Sequence, residues 1–556
     1  MWRLCVALIW VGTVVTVHAE PLVVMQTRPI EELVGDVQAL VKQGGQAWSR
    51  VQAAVKNEPL GIRGMLTDEF MKSQNLMESV FGFLSKELGR DWNQHIDSKL
   101  PLLGYITYNS DDPEQSAIII MVPIRSQRDD FRKYLGRIAE VGREGEKGDF
   151  SITFGGNWAI HGRLSKNWLY LSLNGSDILT TASLASPDDL TEPLDGQLAT
   201  MRFFPQRIPL ALRTLLDFAF QTAEAEVQRR AEIDPDLPEA ARGLQKQWGL
   251  RLLGLVRDII KEGEQVSLGI AYDRRQMELG TDIRVRAKAD TALAKSFIAA
   301  PPVALSPVGP LLDGEPAMQF ALNFPIPLEV SKLFEEGVRE EFSKDLPTPK
   351  ERALLEDVIT KLRPTYQKGQ IQLGGAVHTT PAGSTFIGAV AIQNSAELEK
   401  MFREVAEFPG SLWQLDLEKQ QGINIHSMLV PEEIQEPLVP SFGGGELYFA
   451  FRKDALMFAY GADARARLRR ALLSKPKPTP QMMMQISAPS LVQLVSTFDE
   501  PLSKRIALVI GKESDNQSVI KLEWQTGETF KLRCTSYLWP TIAALAYIIE
   551  KRSQID

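Results

Sequence analysis

The chain of 556 residues repeats itself, and this restricts its folds more than any single motif does. Four times a short apolar strand reaches a proline and turns into a helix: Leu22 to Met25 with Pro29, Leu198 to Phe204 with Pro205, Met318 to Phe324 with Pro325, and Met482 to Ile486 with Pro489. Proline suits the first helical position, because its fixed φ matches the helix and its missing N–H would find no partner there. Ile30, Leu33, Val34, Val37, Leu40 and Val41 then fall on one helical stripe, as do Leu491, Leu494, Val495 and Phe498.

A second unit, a hairpin followed by a helix, begins at Leu102, Val266, Ile371 and Val519. Val266, Leu268, Ile270 and Tyr272 alternate before an Asp273-Arg274-Arg275 turn, and Leu279, Thr281, Ile283 and Val285 alternate after it. That is the pattern of two half-buried antiparallel strands. Gly263-Glu264-Gln265-Val266-Ser267-Leu268-Gly269 resembles Gly369-Gln370-Ile371-Gln372-Leu373-Gly374, and Asp236-Leu237-Pro238 and Asp345-Leu346-Pro347 break a helical stretch upstream of each. Shared punctuation at shared offsets predicts an internal duplication.

A third unit occurs twice. Phe150, Ile152 and Phe154 lead to Trp168-Leu169-Tyr170-Leu171 and a short helix from Ser176. Ile423 and Ile425 lead to Leu447 to Phe451, a Lys453-Asp454 turn, Leu456 to Tyr460 and a helix from Asp463. The later copy carries an insertion, Val430 to Gly445, with the triplet Gly443, Gly444 and Gly445. Ser186 to Gln197 and Lys475 to Pro480 read as linkers that no packing defines. Pro301-Pro302 to Pro310 can continue neither a helix nor a central strand. The expected fold is therefore α+β in two similar halves, each an antiparallel sheet covered by helices. Residues 20–300 form the first half, 301–315 a Pro-rich linker, and 316–556 the second half.

Met1-Trp2-Arg3, the apolar run Leu4 to Val17 and the small-residue ending Val17-His18-Ala19 predict a signal peptide over residues 1–19. The expected location is periplasmic or extracellular. Cys5 leaves with that peptide and Cys534 alone remains, so no intramolecular disulfide can form. Tyr537 to Ile549 is apolar but too short to span a bilayer, and reads as a closing helix rather than an integral membrane segment.

Chemistry leaves few traces. His95, His161, His378 and His426 stand apart in sequence, without the close spacing of a metal site, and His161 and His426 share a unit type but no neighbour that could activate either. A serine elbow, a phosphate-binding loop and a dinucleotide fingerprint are all missing. Asp111-Asp112 precedes Pro113 as a turn, and Asp129-Asp130 faces the positive end of a helix. The reading is no catalytic residue, no metal and no cofactor. Arg465 and Arg469 lie four apart on one helical face and could grip a phosphate or an acidic surface. The net charge of −8 argues against nucleic acid as the main partner. Possible partner contacts are Gly443, Gly444 and Gly445 in the insertion, with Arg465 and Arg469.

With its strand-Pro-helix and hairpin-helix units, and segments such as Glu20-Pro21-Leu22-Val23-Val24-Met25 and Ile118-Ile119-Ile120-Met121-Val122-Pro123-Ile124, the chain resembles the large uncharacterised exported proteins of planctomycete bacteria. The resemblance implies export and a duplicated α/β module, and carries no functional residue across. The expectation is an exported, non-catalytic binding or scaffold protein of the cell envelope, its partner an unknown protein. One alternative is a carrier of an apolar ligand held between sheet and helices. A further one is a hydrolase, which would need polar groups converging in one half only.

Overall fold

The computed structural model describes residues 20–40 and 42, and then 91–536 apart from short stretches. The longest of those stretches are 109–115, 154–158, 234–238, 432–441, 511–517 and most of 326–347. Residues 1–19, expected to be a signal peptide, Asp111-Asp112, both Asp-Leu-Pro breaks and Tyr537 to Ile549 lie outside the described residues. The rest divides into two compact units, one within Met1–Ala219 and Asp258–Leu293, the other within Phe220–Arg257 and Ala294–Ala544.

In the first unit the strands are β1 (Val23–Pro29), β2 (Pro101–Thr107), β3 (Ala117–Pro123), β4 (Glu140–Val141), β5 (Asp149–Thr153), β6 (Ala159–Ser165), β7 (Trp168–Ser172), β8 (Gln197–Phe203), β9 (Gly263–Asp273) and β10 (Glu278–Ala287). They pair antiparallel throughout, in the order β4-β5-β6-β7-β3-β2-β1-β8-β9-β10. Pro29 closes β1, and Pro205 opens a single 3-10 turn after β8. Pro325 closes the strand Met318–Pro325, and Pro489 is the second residue of the helix Ala488–Ser496.

The second unit holds β11 (Val303–Ser306), β12 (Met318–Pro325), β13 (Gln370–Thr380), β14 (Gly383–Ala391), β15 (Trp413–Gln420), β16 (Ile423–Leu429), β17 (Glu446–Arg452), β18 (Ala455–Gly461), β19 (Lys477–Pro480), β20 (Met482–Ser487), β21 (Ser518–Gln525) and β22 (Thr529–Ser536). Its sheet runs β15-β16-β17-β18-β14-β13-β12-β20-β21-β22, also antiparallel. A separate two-stranded ladder joins β11 to β19.

Both faces of each sheet are covered in part. In the first unit Val24, Leu103, Tyr105, Ile119, Met121 and Tyr170 pack under Ile178, Leu179 and Leu190. Elsewhere in that unit Phe131, Tyr134 and Leu135 of the helix Arg128–Ile138 meet Phe150, Ile152, Leu164 and Leu169. In the second unit the helix Ala464–Leu473 and the segment around Val308 and Leu311 cover a surface of small residues, Ala321, Ala376, Ala389, Ala450 and Ala459. Phe449 and Phe451 meet Leu398 and Met401 of the helix Ser395–Ala406. Close approach is written into Gly374: a Cβ there would stand 2.4 Å from the Phe320 carbonyl oxygen and 2.5 Å from Val308 Cγ1.

Three expected linkers turn out to be packed. In the Pro-rich stretch of 301–315, Val303–Ser306 pairs with Lys477–Pro480, placing Leu305 against Pro478 and Val303 against Pro480, and Val308 and Leu311 are buried. Proline is barred from the middle of a sheet, but each strand of a two-stranded ladder has a free edge where its missing N–H costs nothing. Ser186 to Gln197 contains the helix Pro187–Leu190, with Leu190 buried, and the Gln26 amide bonds both backbone groups of Glu192, at 2.8 and 2.9 Å. Residues 220–233 and 239–257, within the helices Leu210–Ile233 and Glu239–Glu262, group with the second unit, which resumes at Ala294. Among the described residues no helix is long and apolar enough to cross a membrane.

Candidate functional site

A histidine-carboxylate cluster stands in each unit, next to the helix that follows the β2-β3 or β13-β14 hairpin. In the second unit Glu399 and Arg403 sit one turn apart on the helix Ser395–Ala406. Asp416 is on β15 with φ +53°, inside the register shift between Gln414 and Glu418. His426 on β16 is 1% exposed, its ring 5.3 Å from that of Phe449 and 6.4 Å from that of Phe451.

The irregular backbone at Asp416 aims its N–H at the ring: Asp416 N donates to His426 Nδ1 at 3.1 Å. A neutral imidazole accepting at Nδ1 carries its proton on Nε2. That Nε2 is buried without a hydrogen-bond acceptor, and Glu399 Oε1 is 3.4 Å away. Arg403 donates to both Asp416 oxygens, at 2.5 and 2.7 Å, and to Glu399 Oε1 at 2.8 Å, where Asn424 Nδ2 adds a bond at 3.0 Å. The Arg403 guanidinium holds the Asp416 carboxyl below its usual range, while burial pushes His426 down despite both carboxylates.

Glu399, Asp416 and His426 offer ligand atoms within 4.8 Å of one another, the spacing of a metal site. The donor set does not fit one. The Nδ1 lone pair is taken by a main-chain N–H, which leaves a proton on Nε2, and a guanidinium already occupies the carboxylates. A metal ligand must present a free lone pair. The cluster is a closed polar brace that ties β15 and β16 to the helix.

In the first unit the short helix Trp92–His95 is strapped to the end of β3: Arg125 N donates to the His95 carbonyl at 2.9 Å, and Ile96 bridges to Ile124. The His95 ring stacks on Tyr134 at 4.4 Å, with Nδ1 3.2 Å from Ser126 Oγ. Asp91 completes a serine-histidine-acid set in composition only. Its Oδ2 lies 3.8 Å from His95 Nε2 and accepts from Arg137 at 2.8 Å, and Arg137 Nη2 stands closer to Nε2, at 3.4 Å. An acid that orients a general base must bond its second nitrogen. Here an arginine stands by the acid in each cluster, Arg137 between Asp91 and His95 and Arg403 on Glu399 and Asp416.

Of the residues singled out from sequence, Arg465 and Arg469 do share a face, and both donate to Glu418 Oε2, at 3.0 and 2.9 Å. Their anion is internal, and Arg469 and then Arg465 hold the Glu418 carboxyl below its usual range. Gly443 is exposed with φ +65°, the Gly445 carbonyl accepts from Val430 N at 2.8 Å, and Gly444 lies outside the described residues. His161 is on β6 and His426 on β16, so the two do not occupy matching strands. Cys534 sits opposite Leu522 on β22, its thiol pushed up by burial. The sequence reading missed Glu399, Arg403 and Asp416. Its available signal was the i, i+4 acid-base pair on a helix; nothing local marked the positive φ of Asp416.

Compared with family models, with curated proteins and with solved structures, the chain matches none, so geometry alone carries the functional reading.

Proposed function

We propose that the chain is an exported protein of the cell envelope, two copies of one α+β module in tandem, that works by binding and not by turnover. The observation that carries this is the arginine at each histidine cluster: Arg403 and Arg137 take the carboxylates that a metal or a general base would need. Duplication is supported by the common strand order, and export by the signature of residues 1–19 and the likeness to exported planctomycete proteins. The loop Val430 to Gly445, without a counterpart in the first unit, is the place for partner contact. The test pairs mass spectrometry of the secreted protein, expected to begin at Glu20, with a hydrolase substrate panel, expected to give nothing. Hydrolysis abolished by one Asp, Glu, His or Ser replacement overturns the binding reading.

One observation favours a second reading, the carrier of an apolar molecule. Ile120, Met201, Leu268 and Ile270 of the first sheet are each more than a third exposed, and Met201 pairs directly with Leu268. An apolar fluorescent dye should bind there, and Leu268→Lys should abolish its uptake.

A further inference from the structure

The helix Ala464–Leu473 lies on the second sheet through Ala464, Leu468, Ala471 and Leu472. Its arginines fall in two pairs, one on each flank of that stripe. Arg465 and Arg469 are well served by Glu418. Arg467 and Arg470 share Asp463, and share it unequally: Arg470 Nη2 is 3.1 Å from Oδ2, whereas Arg467 Nε is 4.0 Å away.

Arg467 is the poorly satisfied member. Its side chain is 19% exposed, and its Nε is buried with no hydrogen-bond acceptor. Burial, then the charge of Arg470, lowers its pKa. A desolvated guanidinium without a bonded anion is costly, and a fold that keeps one has a use for it. His378 on β13 faces the same two arginines. Burial and then Arg467 push its pKa down to about 4, so at neutral pH its ring adds no charge beside the two cations, and its hydrogen bond goes to the Leu311 main chain. Two positive charges therefore meet one carboxylate here, in a chain whose overall charge is −8.

We propose that Arg467 and Arg470 bind a phosphate-type oxyanion, free or as a monoester. The proposal rests on the binding reading above and names the chemistry of what is bound. Planar guanidinium forks match phosphate oxygens in pairs. Two guanidinium forks suit an anion with at least three free oxygens better than a carboxylate with two. Asp463 stays on Arg470 and fixes it, while the Arg467 guanidinium, no closer to Asp463 than 4.0 Å, is left for the ligand.

The test is calorimetric titration of the full chain at pH 7.5 and low salt, with inorganic phosphate in one arm and phenyl phosphate in the other. Saturable binding is expected in at least one arm, and which arm is tighter separates the free ion from the monoester. Arg467→Gln and Arg470→Gln should each weaken binding about tenfold or more, the loss of roughly one charge-assisted contact, whereas Arg465→Gln should change it less than about twofold. Without phosphate, Arg467→Gln should melt no lower than the parent, because it removes an ill-paired charge; Arg470→Gln gives an independent reading should it not fold. No saturable heat in either arm overturns the proposal, and so does an equal effect of Arg465→Gln. Either failure leaves the broader binding reading standing, since the titration involves no envelope partner and no hydrolysis.

Discussion

The two units run their strands in the same order and fill one face of the sheet in different ways. The first depends on large rings. Tyr105, Tyr134, Phe131 and Phe150 are among its most deeply buried side chains, and the tips of Tyr105 and Tyr170 do a second task. Ala185 N donates to the Tyr105 hydroxyl at 3.2 Å, and the Tyr170 hydroxyl donates to the Ala185 carbonyl at 3.1 Å. Burial pushes Tyr170 up to about 12 and Tyr105 higher still, so both stay protonated and keep those bonds. On one face of its sheet the second unit packs alanine and glycine under a helix and a proline-rich strap, while the other face carries rings such as Phe449 and Phe451. One strand order thus admits two packing regimes. Rings reach outward to hold a loop, and small residues draw a covering layer inward.

This contrast can be broken or sharpened by substitution. The largest effect is expected from Tyr105→Ala, which opens a ring-sized cavity and frees Ala185; urea denaturation should show a loss of about 3–5 kcal/mol. Next comes Gly374→Ala, whose new methyl meets a backbone oxygen that cannot yield, with an expected loss of about 1–3 kcal/mol. A third expectation concerns pH. His378 is depressed in the folded chain, so its neutral form stabilises above the unfolded value of about 6.5, and that contribution is lost as pH falls toward about 4. Allowing for solvent screening, about 1–2 kcal/mol should disappear across that window, and His378→Gln should flatten the profile. Tyr105→Phe keeps the ring and deletes only the acceptor for Ala185 N, at about 1 kcal/mol. The smallest effect, under about 0.5 kcal/mol, belongs to Gly104→Ala in the first unit, where the nearest atom is the flexible end of Met25 at 3.2 Å. Equal losses at Gly104 and Gly374 would erase the proposed difference between the cores.

Much of the architecture was legible because period and punctuation are local. The alternation of Val266 to Tyr272 and of Leu279 to Val285 is one hairpin with the expected pairing, Val266 against Val285 and Tyr272 against Leu279. The prolines that close β1 and β12, Pro29 and Pro325, were equally readable. The proline-rich segments misled, because proline states what a backbone cannot donate and says nothing of what covers it; Val308 needed Gly374 to exist as a seat. The histidine clusters were hidden for a related reason. Asp416 reaches His426 through a backbone N–H at a positive φ, and no side-chain spacing encodes that. Arg465 and Arg469 were placed correctly on one face, but Glu418 comes from a strand 47 residues earlier than Arg465, beyond any helical period.

The ladder between Val303–Ser306 and Lys477–Pro480 closes a long circuit of chain: residues 307–476 leave and return at one clasp. Such a clasp makes the enclosed stretch a topological cassette. Its ends are neighbours, so joining them with a short bridge and opening the chain elsewhere would alter connectivity without moving a strand. With Pro478 and Pro480 lacking N–H groups, the clasp also offers little foothold for a third strand, and the circuit closes without inviting a neighbour to extend it.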